Sequence, residues 1–460
     1  MSSERGSRER GRRAQRWLVF AACSAGLVAG GCAVEAGSDG DVRALDDAGS
    51  ADAAESGEGT HATQPGNAPA QPRGTSAVSR ASGEKTAIKV LQPNLGAGTK
   101  EPTAMPAEGP LPHPADPDML SQLTLPPGFE IDILTAEIPG AGMVASHGFH
   151  VYVTRPTYGD VLRLDDSDKD GFAEWQEPMV TDLPNVQAIA FNYDQVFLAT
   201  NDRVYRARID TLGRFEPLTA IADQLPSCDN QRYRGLGVGP DLSLYVSAAD
   251  CASANAAEER GSLLRVAFDG SSREVFARGL RNTLGFGWHP VSRELWGMDP
   301  SFERQEIVPD ELNKIEEGGD YGSPYCYADA AVDPDAAEPP ESDKEAYCAG
   351  TLPSVLDYVE QGSAMGMAFY AGKTFPAEYV GDAFVALHGS WSSSAAAGYK
   401  VIRVRFRDGV PVGFEDFVTG FLMDGVMSFG RPTGIAVAHD GALVFSDDQN
   451  GMIYRVAYRG

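Results

Sequence analysis

Aromatic residues are absent from a long stretch near the start of the chain, since residues 33–127 contain no Phe, Trp or Tyr. The stretch is rich in Ala, Gly, Ser, Pro and Asp, so it buries too little apolar surface to offset the entropy lost on folding. We therefore expect residues 33–124 to form a disordered linker and residues 125–460 to form the globular domain.

Positive charge is also scarce in this chain. It has 38 Lys and Arg against 65 Asp and Glu, which gives a net charge of −27. A phosphate-binding surface needs clustered basic side chains, so this balance excludes nucleic acid as a partner. The G-x-S-x-G and H-E-x-x-H motifs are missing as well, which removes the commonest signatures of serine and zinc hydrolases.

Residues 1–32 are predicted to be an export signal. Six arginines precede the apolar run 17–29, which is too short to cross a bilayer. The run leads into Ala29-Gly30-Gly31-Cys32, which resembles a lipobox in which Cys32 becomes acylated. We favour an exported protein that is lipid-anchored at the cell envelope, in the outer membrane or periplasm, and touches the membrane only through this anchor. Cleavage by the general signal peptidase, which would give a secreted protein, is the alternative.

Cysteine is rare, with six residues in the chain. Cys23 lies in the export signal and Cys32 at the lipobox, which leaves four cysteines for the globular domain. An even number in an exported chain indicates disulfides, and of the three possible connectivities we favour Cys228–Cys251 with Cys326–Cys348. Zinc is the competing interpretation, but the chain has no C-x-x-C motif and no neighbouring Cys/His set.

Short runs of β-branched and aromatic residues dominate the globular domain, separated by Gly, Asp, Asn and Pro. One paired pattern recurs about every 40 to 60 residues, which predicts an all-β fold, a six-bladed β-propeller with four-stranded blades. A β-sandwich would explain the strands but not the recurrence. The six pairs are 150–153 with 160–164, 195–200 with 203–208, 243–247 with 262–268, 294–298 with 312–316, 383–387 with 399–406, and 442–446 with 452–458.

Seven short motifs follow one another in this domain: A-R-G-L-R-N at 277–282, G-W-H-P at 287–290, E-L-W at 294–296, P-D-E-L-N at 309–313, G-G-D-Y-G at 318–322, Y-K-V at 399–401 and G-R-P at 430–432. In this order and spacing they make the chain resemble the glucose/sorbosone dehydrogenase family over residues 125–459. The resemblance implies a six-bladed propeller that binds pyrroloquinoline quinone (PQQ) and Ca²⁺. It also implies oxidation of an aldose or a sugar-derived aldehyde, such as glucose or sorbosone.

The resemblance assigns roles to residues of this chain. Arg281 and Asn282 match a cofactor-contacting pair, and Arg431 matches a second cofactor arginine, as expected for a ring with three carboxylates. Asp299 and Asp310 are expected at or near a calcium ion that polarises the quinone carbonyl.

Several positions depart from the family pattern. The base of the family is a His before a Gly-Pro-Asp turn, and here Gln231 stands in its place. Glutamine has no useful proton affinity near neutral pH. The acid–base group is then expected to be Asp250, or water held by Gln231, with His388 as a substitute to test. Ser392 and Ser393 also stand where the family has Asn-Arg, which removes a cationic cofactor contact.

A second calcium site is predicted outside this resemblance. Asp166, Asp168, Asp170 and Gly171, with Glu177 at the twelfth position, fit the D-x-D-x-D-G-x₅-E loop that presents oxygen ligands to a hard cation. Strand-like flanks make it a calcium-binding turn with a structural role, and an ordinary acidic hairpin turn is the alternative.

Two functions follow from these observations. The first is a quinoprotein sugar dehydrogenase; because no C-x-x-C-H haem motif is present, its electrons would pass to an external acceptor. The second is a catalytically impaired propeller that acts as a cell-envelope binding or scaffold module, which Gln231 and Ser393 favour. A calcium-dependent lactonase-type hydrolase on a similar propeller is a weaker third interpretation.

Overall fold

The computed structural model describes residues 111–112, 117–227, 233–251, 258–301, 308–340, 342–390, 396–425 and 427–460. The predicted export signal, the lipobox cysteine and nearly all of the predicted linker lie outside the described residues. So do four individual positions used in the sequence analysis, namely Cys228, Gln231, Ser392 and Ser393.

Six four-stranded antiparallel sheets confirm the predicted all-β, six-bladed β-propeller. Each sheet is one blade, and the innermost strands of neighbouring blades contact one another around a central channel. From the innermost strand outward, the blades are Val144–His147, His150–Arg155, Asp160–Asp165 and Trp175–Val180 (blade 1); Ala188–Asn192, Gln195–Ala199, Val204–Arg208 and Thr219–Ala222 (blade 2); Leu236–Val238, Ser243–Ala248, Ser262–Ala267 and Arg273–Arg278 (blade 3); Gly285–Trp288, Leu295–Asp299, Asp310–Lys314 and Leu356–Tyr358 (blade 4); Ala364–Phe369, Ala383–Leu387, Lys400–Arg407 and Val410–Val418 (blade 5); and Pro432–Val437, Leu443–Asp447, Met452–Tyr458 and Phe129–Thr135 (blade 6).

The two ends of the globular domain close the ring. The first long strand, Phe129–Thr135, pairs antiparallel with the last, Met452–Tyr458, and becomes the outer strand of blade 6. Phe129 anchors this closure, because its ring lies 4.7 to 5.1 Å from four other aromatic rings of blades 5 and 6. Gly128 has a φ of +86°, and a Cβ there would come within 2.6 Å of the Tyr458 ring. Glycine is therefore required at the start of the closing strand.

The hydrophobic core lies between the blades. The second strand of each blade is covered on both faces by its neighbours, so strands such as Ala383–Leu387 are buried at every residue. The outer strands face solvent on one side, and Trp175–Val180 is exposed or half-buried throughout. This layering explains why the second strands are the clearest in the sequence, since their apolar runs are nearly continuous.

An insertion between the third and outer strands of blade 4 is held by the disulfide Cys326–Cys348, as predicted. Its helix Lys344–Cys348 begins at Asp343, whose carboxylate accepts the Ala346 N–H at 2.7 Å. Cys251 is also disulfide-bonded, and its predicted partner Cys228 lies outside the described residues.

The remaining described elements are short. They are the 3-10 helices Pro117–Gln122 and Ala377–Tyr379, and the strands Leu111–Pro112, Cys326–Tyr327, Ala331–Val332, Leu422–Met423 and Met427–Ser428. Within the part of the chain that the structure describes, no helix has the length and apolar character needed to span a membrane.

Candidate functional site

One end of the propeller, which we call the upper end, carries two kinds of connection. One kind joins the second strand of a blade to its third strand, and the other joins the outer strand of one blade to the innermost strand of the next. Because the second strand of a blade runs antiparallel to the innermost strand, the end of the former lies beside the start of the latter. All the described residues predicted for the quinone site lie on such connections: Asp250, Arg281, Asn282, Asp299, Asp310 and Arg431.

The turn that carries Arg281 and Asn282 is held by Asp299 at the end of the second strand of blade 4. The Asp299 carboxylate accepts the backbone N–H groups of Arg281 and Asn282 at 2.8 and 2.9 Å, and the Thr283 hydroxyl at 3.0 Å. Burial raises the pKa of Asp299, and this effect outweighs the opposing effects of Arg281 and the three donors. Asp299, predicted as a calcium ligand, therefore fixes the backbone of the predicted cofactor turn.

The Arg281 side chain is buried beside a second acid that the sequence analysis did not single out. Its Nη2 lies 3.6 Å from Oε1 of Glu311, which also accepts the Ala328 N–H at 2.7 Å. Burial raises the pKa of Glu311 to about 7, although the nearby Arg281 opposes the shift. Asn282 Oδ1 is buried too, and it accepts no hydrogen bond from the described residues.

Asp310 starts the third strand of blade 4 and is fully buried. Its two oxygens accept the N–H of Ser301 at 2.7 Å and that of Gly362 at 3.1 Å. Burial raises its pKa to about 6 against these donors. Asp310 thus joins blade 4 to the chain that enters blade 5, and its predicted role as a calcium ligand stays a prediction.

Arg431 is presented by the same kind of turn in blade 6. The buried Asp447, at the end of the second strand, accepts the Arg431 N–H at 3.0 Å. The Arg431 guanidinium donates to the carbonyls of His388 and Gly389, both at 3.2 Å, and its centre lies 5.8 Å from the Tyr399 ring. Blades 4 and 6 therefore each place an arginine at the upper end, with its backbone held by a buried aspartate.

Asp250 lies where blades 3 and 4 meet. Its backbone N–H donates to the Arg281 carbonyl at 2.5 Å, and its carboxylate accepts the Ser323 hydroxyl at 3.1 Å. Oδ1 lies 3.6 Å from the Arg260 Nε. The expected acid–base residue is thus already engaged by a cation and a hydroxyl.

The centre of the channel is closed by a buried apolar cluster formed by Met143, Tyr233, Leu284 and Met365. A cavity of about 70 Å³ lies among the innermost strands. At the upper end the Tyr233 hydroxyl donates to Asp448 Oδ2 at 2.7 Å, and Asp448 Oδ1 lies 2.8 Å from His388 Nε2. We call Tyr233, Asp448 and His388 the channel triad.

The predicted calcium loop lies between the third and outer strands of blade 1, at the opposite end of the propeller. One oxygen of each of Asp166, Asp168, Asp170 and Glu174 lies within 4.8 Å of the others. Glu177, predicted as the twelfth-position ligand, is not part of this cluster; it lies on the outer strand and forms ion pairs with Arg163 and Arg214. The chain returns to the strand after fewer residues than in a twelve-residue calcium loop. The acid at the ninth position, Glu174, therefore joins the cluster, and the acid at the twelfth position, Glu177, does not.

Four residues at the upper end were not predicted from the sequence: Glu311, Asp447, Asp448 and Tyr233. The available signal was positional: Asp447 ends a strand whose five residues are all buried, and Asp448 directly follows it. A pair of acids at such a position needs buried partners. Tyr233 carried no comparable signal, since its partner lies in another blade.

The fold and this end of the channel define a class: a six-bladed β-propeller with two aspartate-held arginines at the upper end. A protein-family model described as TrAA12-like matches residues 265–459, which covers the second half of the ring. An uncharacterised protein of Borreliella burgdorferi is 32% identical over 202 residues, which is 43% of this chain and 52% of that protein. The chain therefore spans about half the length of this curated relative.

Solved structures confirm the resemblance at the level of the fold. A calcium structure of the Trichoderma reesei Carbohydrate-Active Enzymes Family AA12 protein has a TM-score of 0.63 at 18% identity, covering 73% of this chain and 97% of that one. The holo PQQ domain of a Coprinopsis cinerea pyranose dehydrogenase has a TM-score of 0.60 at 14% identity, covering 76% and 98%. The soluble aldose sugar dehydrogenase of Escherichia coli, in its apo form, gives 0.51 at 18% identity, covering 72% and 100%.

Proposed function

We propose that this chain is a quinoprotein dehydrogenase that oxidises an aldose or a sugar-derived aldehyde with PQQ and Ca²⁺ and passes the electrons to an external acceptor. The observation that carries the proposal is the matched presentation of Arg281 and Arg431 at the upper end, each held at its N–H by a buried aspartate. Structures of the same fold that are named as glucose, aldose sugar and pyranose dehydrogenases support this reaction class.

The side chains present fit a ring that carries three carboxylates. Guanidinium groups bind carboxylates through paired N–H donors, and two of them lie on connections at this end of the channel. Asn282 Oδ1 is buried and accepts no hydrogen bond from the described residues, so it suits the pyrrole N–H of PQQ. Arg281, Asn282 and Arg431 would therefore hold the cofactor.

When bound, PQQ would accept a hydride, and Ca²⁺ would polarise the carbonyl that receives it. The chain itself would orient the ring through Arg281 and Arg431 and exclude water from the channel below with the apolar cluster around Leu284. Asp299 and Asp310 lie at the same end, and a calcium ion there would favour their ionised forms against the effect of burial.

A second calcium ion is proposed at the acidic loop of blade 1, with Asp166, Asp168, Asp170 and Glu174 as ligands. Their carboxylate oxygens are the ligands that Ca²⁺ prefers, and they already converge to within 4.8 Å. The loop also donates the Ala173 N–H to the Leu134 carbonyl of the closing strand, at 2.6 Å. Calcium at this loop would therefore stabilise the closure of the ring and take no part in the chemistry.

We further propose that the enzyme acts outside the cytoplasm, either anchored to the cell envelope through an acylated Cys32 or secreted. The Ala29-Gly30-Gly31-Cys32 sequence supports the anchor. Mass spectrometry of the N-terminal peptide from native membranes should show the lipid mass on Cys32 if the anchor is correct.

Reconstitution of the purified protein with PQQ and Ca²⁺ tests the dehydrogenase. We expect quinone absorbance to stay with the protein after desalting and an added sugar to reduce a dye. Arg431→Gln should lower quinone affinity about 10- to 100-fold, because a hydrogen bond to a charged group contributes about 1.5–3 kcal/mol. Arg278→Gln is the matched control, since the Arg278 side chain is 67% exposed and lies three residues before Arg281.

The outcomes separate the two functions raised by the sequence. Retention of the quinone without turnover, with turnover restored by Gln231→His, would show that the acid–base group has been lost. If wild-type protein retains no quinone, the dehydrogenase proposal fails and the binding or scaffold module is the better description.

A further inference from the structure

A repeated feature marks the end of the propeller opposite the upper end, which we call the lower end. The turn between the innermost and second strands lies at this end in every blade, and all six of these turns are described. In blades 1 to 5 each turn carries one large apolar side chain that is exposed to solvent, by between 50% and 84%. These side chains are Phe149, Tyr193, Leu242, Val291 and Val380.

The corresponding turns at the upper end, between the second and third strands, are different. Among the described residues they expose one large apolar side chain, that of Tyr158, which is 54% exposed. Single apolar side chains are ordinary on the surface of a soluble protein. Their recurrence at the same turn of five successive blades is not ordinary, so the lower end as a whole calls for an explanation.

Two of these side chains occupy strained positions. Tyr193 has a φ of +50° and Leu242 a φ of +60°, both in the left-handed region. Tight hairpin turns favour Gly, Asn or Asp at such positions, because a bulky side chain crowds the backbone there. Both side chains are also more than half exposed, so they contribute little to the packing of their blades. A bulky apolar residue kept at an exposed and strained position points to a contact outside the chain.

The geometry of the ring indicates what kind of surface is contacted. The innermost strands of neighbouring blades contact one another around the channel, so the turns that follow them lie near one plane across the propeller axis. The apolar side chains are spread over five blades of this plane. A protein partner would need a separate socket for each of them, whereas a lipid bilayer is flat and fluid and accepts each side chain individually.

Charged residues beside these turns are paired with one another. The pairs are Asp194–Arg208 at 3.8 Å, Glu294–Lys314 at 2.8 Å, and Asp440–Arg455. Paired charges give no strong field that would attract a highly charged partner, and they suit the zwitterionic headgroups of a neutral bilayer. The acidic loop of blade 1 also lies at this end, and the proposed calcium ion would offset part of its charge.

We propose that the lower end of the propeller docks on a lipid bilayer, with the five apolar side chains entering the layer between headgroups and acyl chains. This contact is additional to the proposed lipid on Cys32, and it rests on the proposed location at the cell envelope. The predicted linker, residues 33–124, would have a root-mean-square length of about 50 Å, so the anchor permits either end of the domain to face the membrane. Docking through the lower end would leave Arg281 and Arg431 facing the aqueous side.

Vesicle binding by the full-length Cys32→Ser protein tests the proposal, because this chain cannot be acylated at position 32. Vesicles of phosphatidylcholine are the probe, and we expect the protein to sediment with them. Binding should persist at high salt, since apolar insertion is not screened as ion pairing is. In a second measurement, the indole introduced by Tyr193→Trp should shift its emission to shorter wavelength on binding and be quenched by brominated lipid. The indole introduced by Tyr158→Trp, at the upper end, should do neither.

Substitutions at the turns give the size of the effect. Tyr193→Ser and Phe149→Ser should each weaken partitioning into the vesicles about 10-fold, which corresponds to about 1.4 kcal/mol. Tyr158→Ser is the matched control, since it removes an exposed tyrosine from the other end of the propeller and should leave partitioning unchanged. The Tm of each variant, measured by calorimetry, shows that the fold is kept.

Several results would overturn the docking surface. They are no sedimentation of the Cys32→Ser protein with vesicles, loss of binding at high salt, or an equal effect of Tyr158→Ser and Tyr193→Ser. A dimer in sedimentation velocity that Tyr193→Ser dissociates, without any vesicle binding, would show that a second copy covers the lower end instead. Quinone retention by the same protein is a separate measurement, so failure of the docking surface and failure of the dehydrogenase are told apart.

Discussion

Arg234 offers a sharp test of how the upper end is held together. Its side chain is fully buried, and its guanidinium donates to four backbone carbonyls: Thr200 at 3.2 Å, Asn201 at 2.6 Å, Pro226 at 2.6 Å, and Ser247. These carbonyls belong to blades 2 and 3 and to the chain between them. Burial lowers the pKa of Arg234 to about 10, so the side chain is still charged at neutral pH.

Arg234→Met keeps much of the buried volume and removes all four donations. Breaking a buried charged network costs about 3–5 kcal/mol, because its acceptors are left unpaired and away from water. The unfolding entropy is about 2.1 cal/mol/K per residue, or about 0.7 kcal/mol/K for the roughly 340 residues of the globular domain. A loss of about 4 kcal/mol therefore lowers Tm by about 6 °C.

Differential scanning calorimetry at neutral pH measures this change. Arg206→Met is the matched control, because Arg206 also lies between blades 2 and 3 but donates to one carbonyl, that of Phe268 at 3.1 Å. It should lower Tm by about 1–2 °C. Equal Tm values for Arg234→Met and wild type would refute the reasoning, since four buried carbonyls cannot lose their donor at no cost.

Two further predictions concern carboxylates. Burial raises the pKa of Glu311 to about 7 in the folded protein. The contribution of Glu311 to the unfolding free energy is therefore complete below about pH 4.5 and is lost as the pH rises through 7. The unfolding free energy of wild type relative to Glu311→Gln should then fall by up to about 3 kcal/mol between pH 5 and 8 in urea titrations; a flat difference would contradict it. At the blade 1 loop, Ca²⁺ at 100 times its Kd should add about 2.7 kcal/mol, or about 4 °C in Tm. EGTA or Glu174→Gln should abolish this gain in Tm, whereas Glu177→Gln should leave it unchanged. An equal loss in both variants would show that Glu177 is also a calcium ligand.

The fold was largely predictable because the blades repeat. The second strands are buried on both faces, so their apolar runs are nearly continuous and mark each recurring strand pair in the sequence. The closing strand Phe129–Thr135 was not placed in blade 6, because its pattern of buried and exposed residues is that of any edge strand. Its partner lies at the far end of the chain, and periodicity carries no information about such a pairing.

The residues of the candidate site could be predicted from the sequence only where they belong to a recognisable short motif. Arg281 and Arg431 came from short motifs, and the structure places both at the upper end. Glu177 lies outside the acidic cluster because the turn between the two strands returns after fewer residues than a twelve-residue calcium loop. Tyr233 and Asp448 could not be paired from sequence, since only the ring geometry brings blade 3 and blade 6 face to face.

The shared support of the two arginines follows from the blade repeat. A turn that enters an innermost strand leaves backbone N–H groups facing the buried end of the adjacent second strand, where water cannot satisfy them. Among the described residues, the turns of blades 4 and 6 have an ionisable acceptor there, Asp299 beneath Arg281 and Asp447 beneath Arg431. Blades 3 and 6 also share a neutral acceptor beneath the turn, since the Ser247 and Ser446 hydroxyls accept the N–H groups of Gly235 and Gly434 at 2.7 and 2.8 Å. A buried carboxylate beneath the turn thus fixes the backbone that carries Arg281 in blade 4 and the backbone that carries Arg431 in blade 6.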